Sequence, residues 1–154
     1  MPKTAIYPGT FDPITLGHLD IAKRASKLFD KVIITLAINS NKQPLFTKNE
    51  RLEFIADAVK DIPNVEVKSY EGLLIHYAEK IKAKAIIRGL RAVTDFEFEF
   101  QLALMNRKQN DEITTVFLMP HEKYTYLNST IIREVARFGG CVDNFITPLV
   151  AARL

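Results

Sequence analysis

Four side chains in this sequence could manage phosphate chemistry: His18, Lys42, Arg88 and Arg91. His18 closes the stretch Tyr7-Pro-Gly-Thr-Phe-Asp-Pro-Ile-Thr-Leu-Gly-His18, in which four of twelve positions are Gly or Pro. The stretch stands where a phosphate-binding loop belongs, between a short apolar segment and an amphipathic one, yet it is neither G-x-x-x-x-G-K-[ST] nor G-x-G-x-x-G. Pro8 and Gly9 permit a sharp turn, and Thr10 brings a hydroxyl and an N–H to the strand end. Gly17 and His18 fall in the first turn of the next helix, where unpaired N–H groups and the helix dipole favour an anion. An imidazole there can donate an N–H in either protonation state; the plainer alternative is a surface histidine.

Arg88-Gly89-Leu90-Arg91 places two guanidinium groups directly after a short, interior-type segment. Such groups are costly at a core edge unless an anion or an acid pairs them. A bound phosphate would serve, as would a structural ion pair with Asp95, Glu97 or Glu99. Lys42 sits in a polar loop and reads alone as solvated, as do Lys3, Lys31 and Lys48. Tyr124-Thr-Tyr-Leu-Asn-Ser-Thr130 puts hydroxyls and an Asn at a helix start followed by Arg133. Asn128 or Ser129 can cap that helix, and the same end can receive a second anion. His76 and His121 read as structural or exposed; no Cys/His cluster suggests zinc, and no Ser-His-Asp order stands out.

The elements that must position these residues follow from periodicity. Strands are expected at Thr4–Tyr7, Val32–Ile38, Val65–Tyr70, Ala85–Ile87 and Thr115–Met119. Helices are expected at Leu16–Phe29, Arg51–Lys60, Leu73–Lys82 and Asp95–Gln109, then from Asn128 or Ser129 to about Phe138, with a short last one at Pro148. Thr47 and Glu50 form a capping box for the helix at Arg51, and Thr147 caps the one at Pro148. In the run Asp95-Phe-Glu-Phe-Glu-Phe100, a helix would make Phe96 and Phe100 core and turn Glu99 to another face. Strands alternating with helices imply an α/β fold: a Rossmann-like, doubly wound, five-stranded parallel sheet with helices on both faces, as one domain over 1–154. Ligands in such sheets bind beyond the carboxyl ends of the strands. The loops PGTFDP, NSNKQP, EGLL, RGLRAVTD and PHEKYTYLNS should therefore share one crevice, EGLL being the bland one.

Composition narrows the class. With 154 residues, 47% hydrophobic and 25% charged, the chain can bury a core. Its longest apolar run, Val32 to Ile38, is far short of the ~18 residues of a membrane span. Pro2, Lys3 and the early Pro-Gly leave no room for a secretory leader, and the single Cys141 has no internal partner, so a cytoplasmic protein is expected. The net charge of +3 and pI near 9.0 could suggest nucleic acid, but they come without a Lys/Arg block and suit small phosphorylated ligands equally well.

Thr15-Leu-Gly-His18 resembles the T/H-x-G-H motif of the nucleotidyltransferase superfamily, distantly shared with class I aminoacyl-tRNA synthetases. Together with Lys42, "IIRGLRAVTDFEFE", "VFLMP" and "YLNSTIIREVA", the whole chain resembles the bacterial-type phosphopantetheine adenylyltransferases. That resemblance implies transfer of AMP from ATP to 4′-phosphopantetheine, giving dephospho-coenzyme A and pyrophosphate, with Mg²⁺ held mainly by substrate phosphates. It implies that His18 stabilises the transition state, with Thr10, Lys42 and Arg91 also at the reacting centre. Thr10, Phe11, His18, Gly89, Leu90, Arg91, Glu99 and the segment Tyr124, Thr125, Tyr126, Leu127, Asn128, Ser129, Thr130 would bind ATP. Thr10, Lys42, Leu74 and Arg88 would hold phosphopantetheine. It further implies a homohexamer inhibited by coenzyme A, with neither membrane nor nucleic acid as partner. Two departures are Asn128-Ser129-Thr130 in place of a serine run and Phe98 where tyrosine is common. Cytidylyltransferases commonly carry His-x-Gly-His, so Thr15 and Arg-Gly-Leu-Arg argue against them; a non-catalytic nucleotide or RNA binder is the rival from another class.

Overall fold

The computed structural model describes residues 2–38, 43–91 and 93–154, the side chains of 93 and 94 excepted. Strands β1 (Thr4–Gly9), β2 (Lys31–Ala37), β3 (Val65–Tyr70), β4 (Ala85–Gly89) and β5 (Thr114–Leu118) form one parallel sheet ordered β3-β2-β1-β4-β5. Helices α1 (Leu16–Ser26), α2 (Lys48–Ala58), α3 (Leu74–Lys80), α4 (Val93–Gln109), α5 (Ser129–Arg137) and α6 (Pro148–Ala151) connect and follow them. Successive strand residues point to opposite faces. Ala5, Tyr7, Ile34 and Ile87 join one apolar cluster with Ile21 of α1 and Phe54 of α2, whereas Ile6, Ile33 and Ile86 join another with Ile75 and Ala78 of α3. Burial on both faces is why β2 reads as an unbroken β-branched run. The expected doubly wound sheet is the observed one.

The caps behave as their side chains dictate. Thr47 Oγ1 accepts from Glu50 N at 3.2 Å while Thr47 N donates to Glu50 Oε1 at 3.1 Å, and Thr147 caps α6 with Pro148 at its start. Two expectations fail. First, Pro8 and Gly9 do not turn; they end β1, paired with Thr35 and Leu36 of β2. The chain turns at Phe11, whose φ is 45°, and at a cis Asp12–Pro13 bond. Pro8 is tolerated in this central strand because β1 and β4 are in register only at Ala5/Ala85 and Ile6/Ile86 and part beyond them. In a parallel strand a residue's N–H and C=O share a side. The Pro8 carbonyl faces the gap, accepting from Arg88 Nη1 at 3.3 Å, so the donor that proline lacks would have faced it too.

Second, Phe96 and Phe100 of α4 are not core: both are exposed, stacked on each other with centroids 5.6 Å apart. Phe98 is 62% exposed, and Leu104 and Met105 join them outside, while Glu99, 8% exposed, and Asn106 point in. Half-buried Leu102 and Ala103 share the inner side with Glu99, whose carboxylate meets Arg88 there, so the apolar residues of α4 are divided among its faces.

Candidate active site

The parting of β1 from β4 lies where the strand order reverses, the position at which open α/β sheets take ligands. A cavity of about 170 Å³ opens there, walled by β1 (Tyr7, Pro8, Gly9), the next loop and α1 (Phe11, Thr15, Gly17, His18, Ile21), β4 and its loop (Arg88, Gly89, Arg91), Glu99, Pro120 and Leu127. Gly9 gives the Phe11 ring its room: a Cβ there would sit 3.0 Å from the ring and push it aside. Gly17 brings α1 against the Tyr124 main chain, where a Cβ would lie 3.8 Å from its carbonyl oxygen.

His18 is fixed by its own helix. Thr15 is the N-cap of α1, its Oγ1 accepting from His18 N at 3.2 Å, while its backbone N–H donates to His18 Nδ1 at 2.9 Å. This is a capping box with imidazole where Glu or Gln is usual. A backbone N–H can only donate, so Nδ1 carries a lone pair and the ring proton resides on Nε2. Phe11 meets the ring edge-on at 4.9 Å. Burial, and then the Arg91 charge, lower the His18 pKa to about 4. The ring is therefore neutral near pH 7 and offers the cavity one N–H donor.

Both arginines are paired. Arg88 grips Glu99 in a bidentate fork, Nε to Oε2 and Nη2 to Oε1, each 2.6 Å, with Nη1 on the Pro8 carbonyl. Three of its five N–H groups are thereby engaged, leaving two. Arg91 donates Nε to Asp95 at 3.0 Å and Nη1 to the Leu127 carbonyl at 2.6 Å, tying the loop after β4 to the loop after β5. The ion-pair reading is the one observed: acids orient the forks, and among the described residues each guanidinium keeps N–H groups without a partner.

The other expected residues fall around this cavity rather than in its wall. Thr10 is exposed, its carbonyl held by Arg51 Nη1 at 3.1 Å. Leu90 N pairs with Leu118 O, and Leu74 packs into the α3 cluster, so the EGLL loop contributes nothing to the wall. Tyr124 and Thr125 belong to a single 3-10 turn and its cap, and Tyr126 lies edge-on to Phe145. Asn128 caps α5, accepting from Ile131 N at 2.8 Å, and Thr130 lines a neighbouring cavity of about 900 Å³ with Arg133, Arg137 and Arg153. Lys42 lies outside the described residues.

Sequence reasoning passed over the pins of the Thr10–Pro13 loop. Asp12 accepts from Leu45 N at 2.7 Å and Phe46 N at 3.0 Å; Arg133 Nη1 donates to Asp12 O at 2.5 Å and Ser129 Oγ to Pro13 O at 2.8 Å. The only hint was an aspartate inside a Gly/Pro-rich loop, because partners more than thirty positions away leave no local pattern. The cap at Thr15 was passed over as well, although T-x-x-H has the spacing of a capping box.

Comparison with known proteins is consistent with this geometry. The cytidylyltransferase-like family model matches residues 6–135. A phosphopantetheine adenylyltransferase of Caldanaerobacter subterraneus is 53% identical over 99% of this chain and 95% of its own length. One of Desulfatibacillum aliphaticivorans is 53% identical over 100% of this chain and 88% of its own. Among solved structures, a putative nicotinate-nucleotide adenylyltransferase from Vibrio parahaemolyticus shares the fold, with TM-score 0.77 at 23% identity over 99% of this chain and 91% of that one.

Proposed function

The chain belongs to the cytidylyltransferase-like family and, within it, to the phosphopantetheine adenylyltransferases, and from that premise we propose that it moves AMP from ATP to 4′-phosphopantetheine by direct in-line attack. The products are dephospho-coenzyme A and pyrophosphate, the penultimate step of coenzyme A synthesis. The full-length likeness to those enzymes carries the reaction; the fixed His18 tautomer supports the mechanism. The acceptor phosphate is already an oxyanion, so its oxygen can form the new bond to the α-phosphorus as the bond to pyrophosphate breaks. No enzyme nucleophile is needed, and catalysis is positioning and charge stabilisation. His18 Nε2–H donates to the α-phosphoryl oxygen that gains charge at the transition state.

The free N–H groups of Arg88 hold the acceptor phosphate, and Lys42 is assigned beside it from the motif alone, with Thr10 and Leu74 at the acceptor's edge. Phe11, Gly89, Leu90 and Arg91 enclose the adenylate; Glu99 acts through Arg88. The loop 124–130 covers the nucleotide, and the start of α5 with Arg133 receives the leaving pyrophosphate. Among the described residues no three His, Cys, Asp or Glu side chains gather to cage a metal. Glu99 and Asp12 are engaged by Arg88 and backbone N–H groups, so Mg²⁺ fits best as part of the substrate, MgATP. Coenzyme A, which contains both halves of the product, fits as an inhibitor of the same crevice. The exposed apolar side chains of α4 support a homo-oligomer, a hexamer by the family resemblance. Among the described residues no helix is long and apolar enough to cross a membrane, and a cytoplasmic site of action matches the substrates.

Mixing the protein with MgATP and 4′-phosphopantetheine should release pyrophosphate, and glycerol 3-phosphate or nicotinamide mononucleotide should not replace the acceptor. Release with either of those alone overturns the acceptor assignment. In single turnover, His18→Ala should be ~10²–10³-fold slower with ATP binding little changed, the scale of one lost oxyanion donor; an unchanged rate removes His18 from the mechanism.

A further inference from the structure

Tyr7 belongs to neither set of expected site residues, yet it reaches the cavity from beneath. It is 5% exposed and points from β1 toward α1, meeting the Phe11 ring edge-on at 5.4 Å. Its hydroxyl lies 3.9 Å from where a Cβ on Gly89 would stand, beside Ile21, and the residue is part of the wall that His18, Arg88 and Arg91 complete. A buried phenol ordinarily finds a hydrogen-bond partner. Among the described residues the Tyr7 hydroxyl has none, although every fully hidden side-chain polar atom described is satisfied. A polar group nine-tenths buried and open only to a ligand cavity is suited to complete its bond with the ligand.

We propose that Tyr7 is a nucleotide-binding residue whose hydroxyl donates a hydrogen bond to a phosphoryl oxygen of the bound adenylate. Besides the Thr15 hydroxyl, which is engaged in the α1 cap, the other side-chain donors of the cavity, His18 Nε2–H and the two guanidinium forks, suit an anionic oxygen, and Gly89 leaves the Tyr7 hydroxyl unscreened on that side. Burial, against a smaller opposing effect of Arg88 and Arg91, holds the phenol well above its usual pKa, so it remains a donor throughout the physiological range.

The ligand identity rests on the adenylyl-transfer reading; the contact is tested by binding alone. Calorimetry of wild type and Tyr7→Phe with MgATP, AMP and adenosine separates the possibilities. A lost hydrogen bond to a charged oxygen should weaken ATP and AMP roughly ten- to hundredfold and leave adenosine unchanged. The ligand-free variant should melt with the wild type, because the removed hydroxyl has no described partner. Equal ATP affinity in the two proteins, an equal loss for adenosine, or a clearly lower melting temperature of the free variant each overturns the proposal. If wild type binds ATP but makes no product from phosphopantetheine, the acceptor assignment falls while the wild-type to Tyr7→Phe ratio still decides this contact.

Discussion

His18 enters the reaction with one ring nitrogen already committed to Thr15. Burial, and then the Arg91 charge, suppress its protonation in the fold, and the sign of the consequence is fixed. The folded pKa of about 4 lies below the ordinary 6.5, so the unfolded chain binds more protons between those values. Stability is present in full above pH 6.5 and is lost as pH falls toward 4, by up to ~3 kcal/mol. Gln at position 18 keeps the capping box but does not titrate. Denaturant melts between pH 7 and 4 should show His18→Gln losing less stability than wild type; parallel losses would place the acid sensitivity elsewhere. For the same reason the wild-type kcat/KM profile should cross pH 6.5 without a histidine inflection. Sequence alone identified this residue and its helix turn, but not its tautomer, which depends on a 2.9 Å bond from a backbone N–H.

At the scale of elements, α4 shows where pattern reading fails and why. Its phenylalanines have a spacing that suggests a buried stripe, yet the buried positions are Glu99 and Asn106. One bidentate ion pair, Arg88 to Glu99, outweighs the apolar rule because a guanidinium at the cavity edge cannot be left uncompensated. Glu99→Gln should therefore cost about 2 kcal/mol, lowering the melting temperature by roughly 4–8 °C in a domain of this size. It should also raise KM for the acceptor as Arg88 loses its orientation. An unchanged melting temperature would mean that α4 is held by something other than this pair. The strands and caps were legible because their signals are local: β-branched runs, Thr47 with Glu50, Thr147 before Pro148. The pins of the Thr10–Pro13 loop were not, because Arg51, Ser129 and Arg133 reach it from helices far along the chain.

For the molecule as a whole, α4 leaves Phe96, Phe100 and Leu104 exposed along one flank and Phe98 and Met105 along the other, an amount of exposed apolar surface of the kind that marks association. Phe98→Glu should lower the mass measured by light scattering toward that of one chain while circular dichroism keeps the α/β signature; an unchanged mass excludes the Phe98 flank as the contact. The topology needed only the order of strand and helix signals, and the crevice at the strand-order reversal followed from it. The alignment of its donors did not, since it arises from contacts between elements.

The parting of β1 from β4 also bears on what a substitution in the cleft wall would do. Part of the cleft wall comes from Gly9 and Gly89, which carry no side chain, and a Cβ at position 9 would stand 3.0 Å from the Phe11 ring. A residue larger than glycine at position 9 therefore displaces the Phe11 ring, and through it the edge-on contact with His18. A change at the end of β1 is thus felt at the reacting side chain before it alters the room left for a ligand.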